Sequence, residues 1–123
     1  MNTIDIAPLH ALRFTESRPG IKGTPLFDAS TPTENFYSGM FILAPGEVLD
    51  MHYHDCEELQ HVIAGSALLC DSEHHEHTLL PGTTFYCHAG AKGAHEIRNE
   101  GPYEFVCLYV YYSPGGQRVA RRT

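Results

Sequence analysis

From residue 36 onward, the chain is a series of short apolar runs separated by turn-forming residues. The runs are four to eight residues long, and they lack the 3.6-residue period of a long helix. Pairs such as Pro45-Gly46 and Pro81-Gly82 fall between them, where turns are expected. The pattern predicts β-strands at residues 36–43, 48–54, 59–64, 67–70, 77–80, 83–87, 95–99 and 105–112. An all-β sandwich or barrel follows from strands of this length and spacing.

The two ends of the chain have a different character. Residues 1–35 are broken by several Pro and Gly residues, and we expect an irregular N-terminal arm there. Within it, residues 21–27 could form an edge strand that wraps around this domain or a neighbouring one. Residues 36–113 make up the predicted barrel, and residues 114–123 form a C-terminal tail. We expect residues 118–123 of this tail to fray in solvent. A chain of 123 residues is long enough for one domain with a real core.

Metal-ligand side chains cluster between Gly46 and Gly65. His52 and His54 are two apart in a predicted strand, so both rings point to one face, about 6–7 Å apart along the strand. Glu58 follows a short polar break at which the chain can bend back. Imidazole nitrogen and carboxylate oxygen together suit a borderline divalent metal such as Zn, Fe, Mn, Ni or Cu. The spacing Gly46-x5-His52-x-His54-x3-Glu58-x6-Gly65 resembles, at every fixed position, the first signature motif of the cupin superfamily.

A second segment, Gly82-x5-His88-x-Gly90-x4-His95-x3-Asn99, resembles the second cupin motif and supplies a third imidazole, that of His95. It departs from the family pattern in having His88 where Pro is usual, and in a longer gap before the metal histidine. The resemblance implies a double-stranded β-helix (jelly-roll) barrel. It also implies a homodimer.

The predicted site is open rather than closed. Three neutral imidazoles and one carboxylate leave a divalent ion with a net charge near +1, and an octahedral ion would keep two positions for water, oxygen or substrate. An open site is typical of catalysis rather than of a structural metal. We therefore expect one divalent transition metal per chain, with iron favoured and Mn, Ni, Zn or Cu as alternatives. Its ligands would be His52, His54, Glu58 and His95.

Two further residues are candidates for a catalytic role. Gln60 shares a face with Glu58 and could orient a bound water or a substrate oxygen. His88 lies at the mouth of the loop before His95, and an unperturbed pKa of about 6.5 suits proton transfer near neutrality. It could equally do no more than close a turn. Some small lyases of the superfamily carry a Tyr base at the position of Gln60, and a tyrosine from elsewhere could replace it here: Tyr53, Tyr86, Tyr109 or Tyr111.

The remaining histidines and the cysteines favour structural roles. The polar run at residues 71–77 holds three histidines that would bind metals only adventitiously. His61 is out of phase with Gln60 and should face away from the metal. The four cysteines are widely spaced without a CxxC pair, which predicts reduced thiols rather than disulfides. Cys56 is either a small buried residue at a bend or a thiol that tunes or joins the metal site.

Charge and composition narrow the possible partners. A formal net charge of −7, with eight Lys and Arg, argues against nucleic acid or an anionic membrane. The sequence has no apolar run of the ~18–20 residues that a membrane span needs and no secretory pattern, so a cytoplasmic location is expected. The run at residues 105–112 is apolar on both faces. We expect its outer face to be covered by a second subunit, or by the N-terminal arm.

Taken together, these features predict a mononuclear metal enzyme that acts on a small polar organic substrate inside the barrel. The ligand set favours a dioxygenase-like activity. The alternatives are a metal-dependent lyase or isomerase of small acids or sugars, a non-catalytic protein that binds a small ligand, and a protein in which the metal only stabilises the barrel.

Overall fold

The computed structural model describes residues 4–27, 35–114 and 120–122. Eleven strands and two short 3-10 helices, Leu9–Ala11 and Ala91–Gly93, form the regular structure of these residues. In chain order, the strands are β1 (Thr15–Arg18), β2 (Ile21–Phe27), β3 (Phe36–Leu43), β4 (Val48–His54), β5 (Glu57–Ala64), β6 (Ala67–Asp71), β7 (Glu76–Leu79), β8 (Thr84–Cys87), β9 (His95–Arg98), β10 (Phe105–Tyr112) and β11 (Ala120–Arg122).

The strands form two antiparallel sheets. The first sheet has the order β1-β2-β3-β10-β5-β8, and the second has the order β11-β4-β9-β6-β7. Consecutive strands such as β4 and β5 lie in different sheets, so the chain passes back and forth between the two layers. This arrangement is a double-stranded β-helix, and it confirms the predicted fold class.

Alternation of apolar residues located the strands well. The predicted strands at residues 36–43, 48–54 and 105–112 coincide with β3, β4 and β10. The other five strands predicted after residue 36 differ from the observed ones by one or two residues at an end. The short apolar runs are therefore sufficient to place the strands of the barrel.

Both sheets contribute to one core. Leu43, Val62, Phe105 and Cys107 of the first sheet are fully buried, as is Ile97 of the second. The buried residues alternate along each strand, because successive side chains of a strand point to opposite faces of the sheet. The inner faces of the two sheets therefore enclose the space in which the predicted metal ligands lie.

The expectation of an irregular arm over residues 1–35 was wrong for residues 15–18, which form a strand, as do residues 21–27, where a strand was predicted. These two segments form a hairpin around Pro19-Gly20, where Gly20 has a φ of +85° that other residues rarely adopt. The predicted strand at residues 21–27 is confirmed as β2, which pairs with β3. It is not an edge strand, because β1 pairs with its outer side. Residues 28–34 lie outside the described residues.

The C-terminal tail also contains a strand. β11 pairs with β4, with Arg121 opposite Tyr53, and Nε of Arg121 donates a hydrogen bond of 2.6 Å to Oδ2 of Asp55. The expectation that residues 118–123 fray was therefore wrong for residues 120–122, because the exposed edge of β4 offers them backbone partners. Residues 115–119 and 123 lie outside the described residues.

The cysteines are thiols rather than disulfides, as predicted. All four are free thiols, of which two are buried and two half-buried: Cys87, Cys107, Cys56 and Cys70. In the described part of the chain, no helix has the length and apolar character needed to cross a membrane.

Candidate metal centre

A β-bulge in β4 sets the direction of the first two histidines. Leu49 pairs with Ile97 and His52 pairs with His95, so three steps along β4 match two steps along β9. A bulge of this kind shifts the phase of the side chains. Leu49, His52 and His54 consequently all line the same cavity. The rings of His52 and His95 lie next to each other, with 4.8 Å between their centroids.

The carboxylate comes from the opposing sheet. Glu58 of β5 lies opposite Cys87 of β8 on one side and opposite Tyr111 of β10 on the other. All three side chains are buried. Oε1 of Glu58 lies 3.7 Å from Nε2 of His95. The two sheets thus bring a carboxylate and an imidazole together in the barrel interior, although 37 positions separate them in the chain.

His54 completes the group of predicted ligands. Its ring centroid lies 5.3 Å from that of His52. Its Nε2 lies 2.9 Å from the hydroxyl oxygen of Tyr111, and the two rings meet edge to face. The rings of His52, His54 and His95 are thus neighbours in the barrel interior, and Tyr111 adds a hydroxyl beside His54. Of the four predicted ligands, Glu58 and His95 belong to the group of possible ligand atoms that lie within 4.8 Å of one another, and His52 and His54 lie outside that group.

Backbone carbonyls orient two of the imidazoles. Nδ1 of His52 lies 2.7 Å from the carbonyl oxygen of Asp50, and Nδ1 of His95 lies 2.9 Å from that of Gly93. Because a carbonyl oxygen can only accept a hydrogen bond, each Nδ1 carries the proton and each Nε2 keeps a lone pair. Histidines that bind metals are commonly held in this way.

His95 shows the best fit to a metal. Its Nε2 is buried, and none of the described residues offers it a hydrogen-bond partner. Burial lowers the pKa of His95, which keeps the ring neutral and the lone pair available. A buried polar atom without a partner is costly. Neutral imidazole nitrogens beside the Glu58 carboxylate are a donor set that fits a divalent transition metal.

Cys87 is a further potential ligand that sequence reasoning missed. The possible ligand atoms of Glu58, Cys87 and His95 all lie within 4.8 Å of one another. Burial, reinforced by the nearby Glu58 carboxylate, raises the pKa of the Cys87 thiol, which therefore stays protonated at neutral pH. The sequence analysis singled out Cys56 instead. The available signal was the inward phase that Cys87 shares with Phe85 on β8.

A cavity of about 450 Å³ adjoins the site. The predicted ligands His52, His54 and Glu58 line it, together with Gln60. Its other walls carry aromatic and aliphatic side chains, and residues of β1 and β2 border its opening: Phe41, Leu49, Tyr109, Tyr111, Thr15, Glu16, Ser17, Ile21, Lys22 and Gly23. The site is therefore accessible to a small molecule from the barrel interior.

Comparison with known families identifies the fold. The sequence profile described as "Cupin domain" matches residues 39–111, more than half of the 123-residue chain. The chain belongs to the cupin family. The resemblance stated from the two motifs is thereby confirmed, and all four predicted ligands lie within the matched region. A search of curated proteins gives no significant match.

Proteins of similar fold whose structures are solved include enzymes of different kinds. This cupin is similar to the polyketide cyclase RemF from Streptomyces resistomycificus, with a TM-score of 0.82 and 18% identity over 98% of this chain and 85% of that one. It is similar to a cupin-superfamily sugar phosphate isomerase from Silicibacter pomeroyi, with a TM-score of 0.73 and 23% identity over 97% and 76%. It is also similar to the DMSP lyase DddQ from Ruegeria pomeroyi, with a TM-score of 0.76 and 17% identity over 93% of this chain and 62% of the lyase.

The two predicted catalytic residues of this cupin lie in different places. Gln60 is buried, lines the cavity and accepts a hydrogen bond of 3.3 Å from Sγ of Cys107. His88 is exposed, and its ring packs on that of Tyr86 at 4.8 Å between centroids. His88 lines a second cavity of about 490 Å³, which Cys87 and His95 also line. It does not line the cavity beside His52. His88 therefore shares a cavity with His95 but not with Gln60, His52, His54 or Glu58.

The remaining candidates are also placed. Of the four tyrosines considered, Tyr109 and Tyr111 line the cavity, whereas Tyr86 is exposed and donates a hydrogen bond of 2.6 Å to Glu57. His61 faces away from the cavity, as predicted, and its Nδ1 lies 2.7 Å from the hydroxyl of Thr84. His74 and His75 belong to the exposed turn between β6 and β7, and His77 is an exposed residue of β7.

Proposed function

We propose that this cupin is an enzyme with one divalent transition metal per chain, held by His52, His54, Glu58 and His95. The observation that carries the proposal is the buried Nε2 of His95, which lies 3.7 Å from Oε1 of Glu58 and has no hydrogen-bond partner among the described residues. The carbonyl contacts to Nδ1 of His52 and His95 support it, because they leave the lone pair of each Nε2 available to bind a metal.

The substrate would lie in the cavity of about 450 Å³ beside these ligands. When bound, a divalent cation would polarise a substrate oxygen or, in the case of iron, support the chemistry of dioxygen. Gln60 would orient a polar group of the substrate through its side-chain amide. Nε2 of His54 lies 2.9 Å from the hydroxyl oxygen of Tyr111, so His54 would bind the metal through Nδ1. With the proton on Nε2, the tyrosine oxygen accepts that hydrogen bond, and its own O–H can donate to a substrate in the cavity.

For the class of reaction, we propose bond cleavage, isomerisation or ring closure without an oxidant. The cavity offers amide and hydroxyl groups that bind and orient oxygen atoms, and the proteins of similar fold include a polyketide cyclase, a sugar phosphate isomerase and a DMSP lyase. The second candidate is a dioxygenase. Its support is the donor set, because several imidazoles with a carboxylate and open positions suit Fe(II).

The test is a turnover screen with protein that carries no affinity tag, loaded separately with Fe(II), Zn(II), Mn(II) or Ni(II). Hydroxy acids, phenolic acids, polyketones and sugars would be followed by mass spectrometry, with oxygen uptake recorded in parallel. We expect metal-dependent conversion of one compound class without oxygen uptake, lost in His52→Ala and kept in His61→Ala. Oxygen uptake coupled to product would favour the dioxygenase. Saturable binding without conversion would contradict an enzyme and favour a binding protein.

A further inference from the structure

The cavity has one wall of aromatic rings, formed by Phe41 of β3 with Tyr109 and Tyr111 of β10. Phe41 and Tyr109 are stacked, with 6.4 Å between centroids and 28° between planes, and Tyr109 and Tyr111 are 5.2 Å apart. The row ends at Tyr111, whose hydroxyl contacts His54. A continuous aromatic surface thus leads from the cavity to a predicted metal ligand.

Gly39 makes room for this wall. It lies directly opposite Tyr109 in the pairing of β3 with β10, and a Cβ atom at Gly39 would collide with the far end of the tyrosine ring. Any larger residue at position 39 would therefore displace the Tyr109 ring, and it would also press on the backbone oxygen of Thr24 on β2. The glycine lets the ring lie close against the sheet.

Polar side chains also line the cavity, on β1, on β2 and among the predicted ligands. Among the described residues that line it, Lys22 is the sole Lys or Arg, and Glu16 lies directly opposite it in the pairing of β1 with β2. A carboxylate beside the lysine is unfavourable for a phosphate group.

We propose that the substrate is a planar aromatic molecule that bears oxygen atoms at one end. Its ring lies against Phe41 and Tyr109, where offset stacking contributes beyond the area buried. Its oxygens point to the end of the cavity that holds His52, His54 and Glu58. The volume of about 450 Å³ accommodates a molecule of more than one ring. This inference rests on the proposed function, because it takes the metal as the partner of the substrate oxygens.

The test compares two probes that carry the same pair of oxygen groups. One is 1-hydroxy-2-naphthoate, and the other is 2-hydroxycyclohexanecarboxylate, which places the pair on a saturated ring. Both would be titrated by calorimetry into the zinc-loaded full chain and into Tyr109→Leu, Phe41→Leu and Phe36→Leu. Phe36 is the matched control, because its exposed ring packs on Tyr112 and does not line the cavity. Zinc content would be measured for every variant.

We expect the naphthoate to bind at least about tenfold more tightly than the saturated probe. Tyr109→Leu and Phe41→Leu should each weaken naphthoate binding about threefold to tenfold without changing zinc content, and Phe36→Leu should leave it unchanged. Equal affinity for the two probes in zinc-loaded protein would overturn the substrate class and leave the metal enzyme standing. A preference for the naphthoate that depends on Tyr109 in protein that binds no zinc would support the aromatic wall and contradict the proposed function.

Discussion

Nε2 of His95 on β9 lies 3.7 Å from Oε1 of Glu58 on β5, and each of the two residues is only 2% exposed. Each sheet thus contributes one atom that can bind a metal, and a cation between these two atoms would join the two layers of the barrel. Metal binding should therefore stabilise the fold. At free metal of about 100 times the Kd, the gain is about 2.7 kcal/mol. For a domain of this size, that corresponds to a rise in Tm of about 10 °C.

Differential scanning calorimetry with and without Zn(II) measures this shift. Glu58→Gln keeps the volume of the side chain but removes its charge, and it should lose most of the shift. His61→Ala is the control, because His61 lies on the same strand and faces away from the cavity. Equal shifts in wild type and Glu58→Gln would show that the carboxylate is not a ligand.

A second prediction concerns the buried amide of Asn99. Its Nδ2 donates hydrogen bonds of 2.9 Å to the carbonyl oxygens of Leu43 and Tyr103, and its Oδ1 accepts one of 3.0 Å from the N–H of Gly101. Asn99→Ala leaves these backbone groups without partners, so we expect a loss of about 1–3 kcal/mol in the free energy of unfolding. Urea denaturation measures the loss, with Glu100→Ala at the neighbouring exposed position as control. An equal free energy of unfolding in the two variants would show that the hydrogen bonds of Asn99 do not stabilise the fold.

A third prediction concerns pH and the turn between β6 and β7. The side-chain hydrogen bond from His77, with further bonds from the N–H groups of His75 and Glu73, lowers the pKa of Asp71 to about 2. Because the pKa is lowered on folding, the stabilisation is complete above the ordinary value of about 3.9 and is lost as the pH falls towards 2. A carbon-detected NMR titration should place the midpoint of this carboxyl near 2. A midpoint near 3.9 would mean that these hydrogen bonds do not form in solution.

The outer face of the first sheet gives a fourth prediction. Aromatic and aliphatic side chains there are about half exposed: Phe36 at 52%, Leu59 at 44%, Tyr86 at 48% and Tyr112 at 47%. We propose that a second copy of the chain covers this face. Analytical ultracentrifugation should find a dimer for the wild type and for Leu80→Glu, an exposed leucine after β7, and a monomer for Leu59→Glu. A monomeric wild type would contradict the proposal.

Much of the barrel could be predicted because a strand has a side-chain period of two. That period placed β3, β4 and β10 correctly. β2 was also predicted, but β1 and its pairing with β2 were missed, because the Pro and Gly residues of this region are typical of loops. The hairpin is stabilised by the pairing of β2 with β3. Likewise, β11 forms on the edge of β4, which the short basic tail does not reveal. These strands depend on partners far away in the sequence.

The candidate metal site was also predictable only in part from the sequence. The spacing of His52, His54 and Glu58 could be read directly from the chain, and the structure places these residues together. Cys87 and Tyr111 were not identified as neighbours of the ligands, because only the order of strands in the first sheet puts them on either side of Glu58. The bulge in β4 was likewise invisible to the pattern of apolar residues.

The central claim is that His52, His54, Glu58 and His95 bind one metal ion. Its most direct test is elemental analysis, by inductively coupled plasma mass spectrometry, of protein purified without an affinity tag. We expect about one transition-metal ion per chain in the wild type and in His61→Ala, and almost none in His52→Ala or His95→Ala. A metal-free wild type that also takes up no added Fe(II) or Zn(II), or a metal content unchanged by loss of His52 and His95, would contradict the claim.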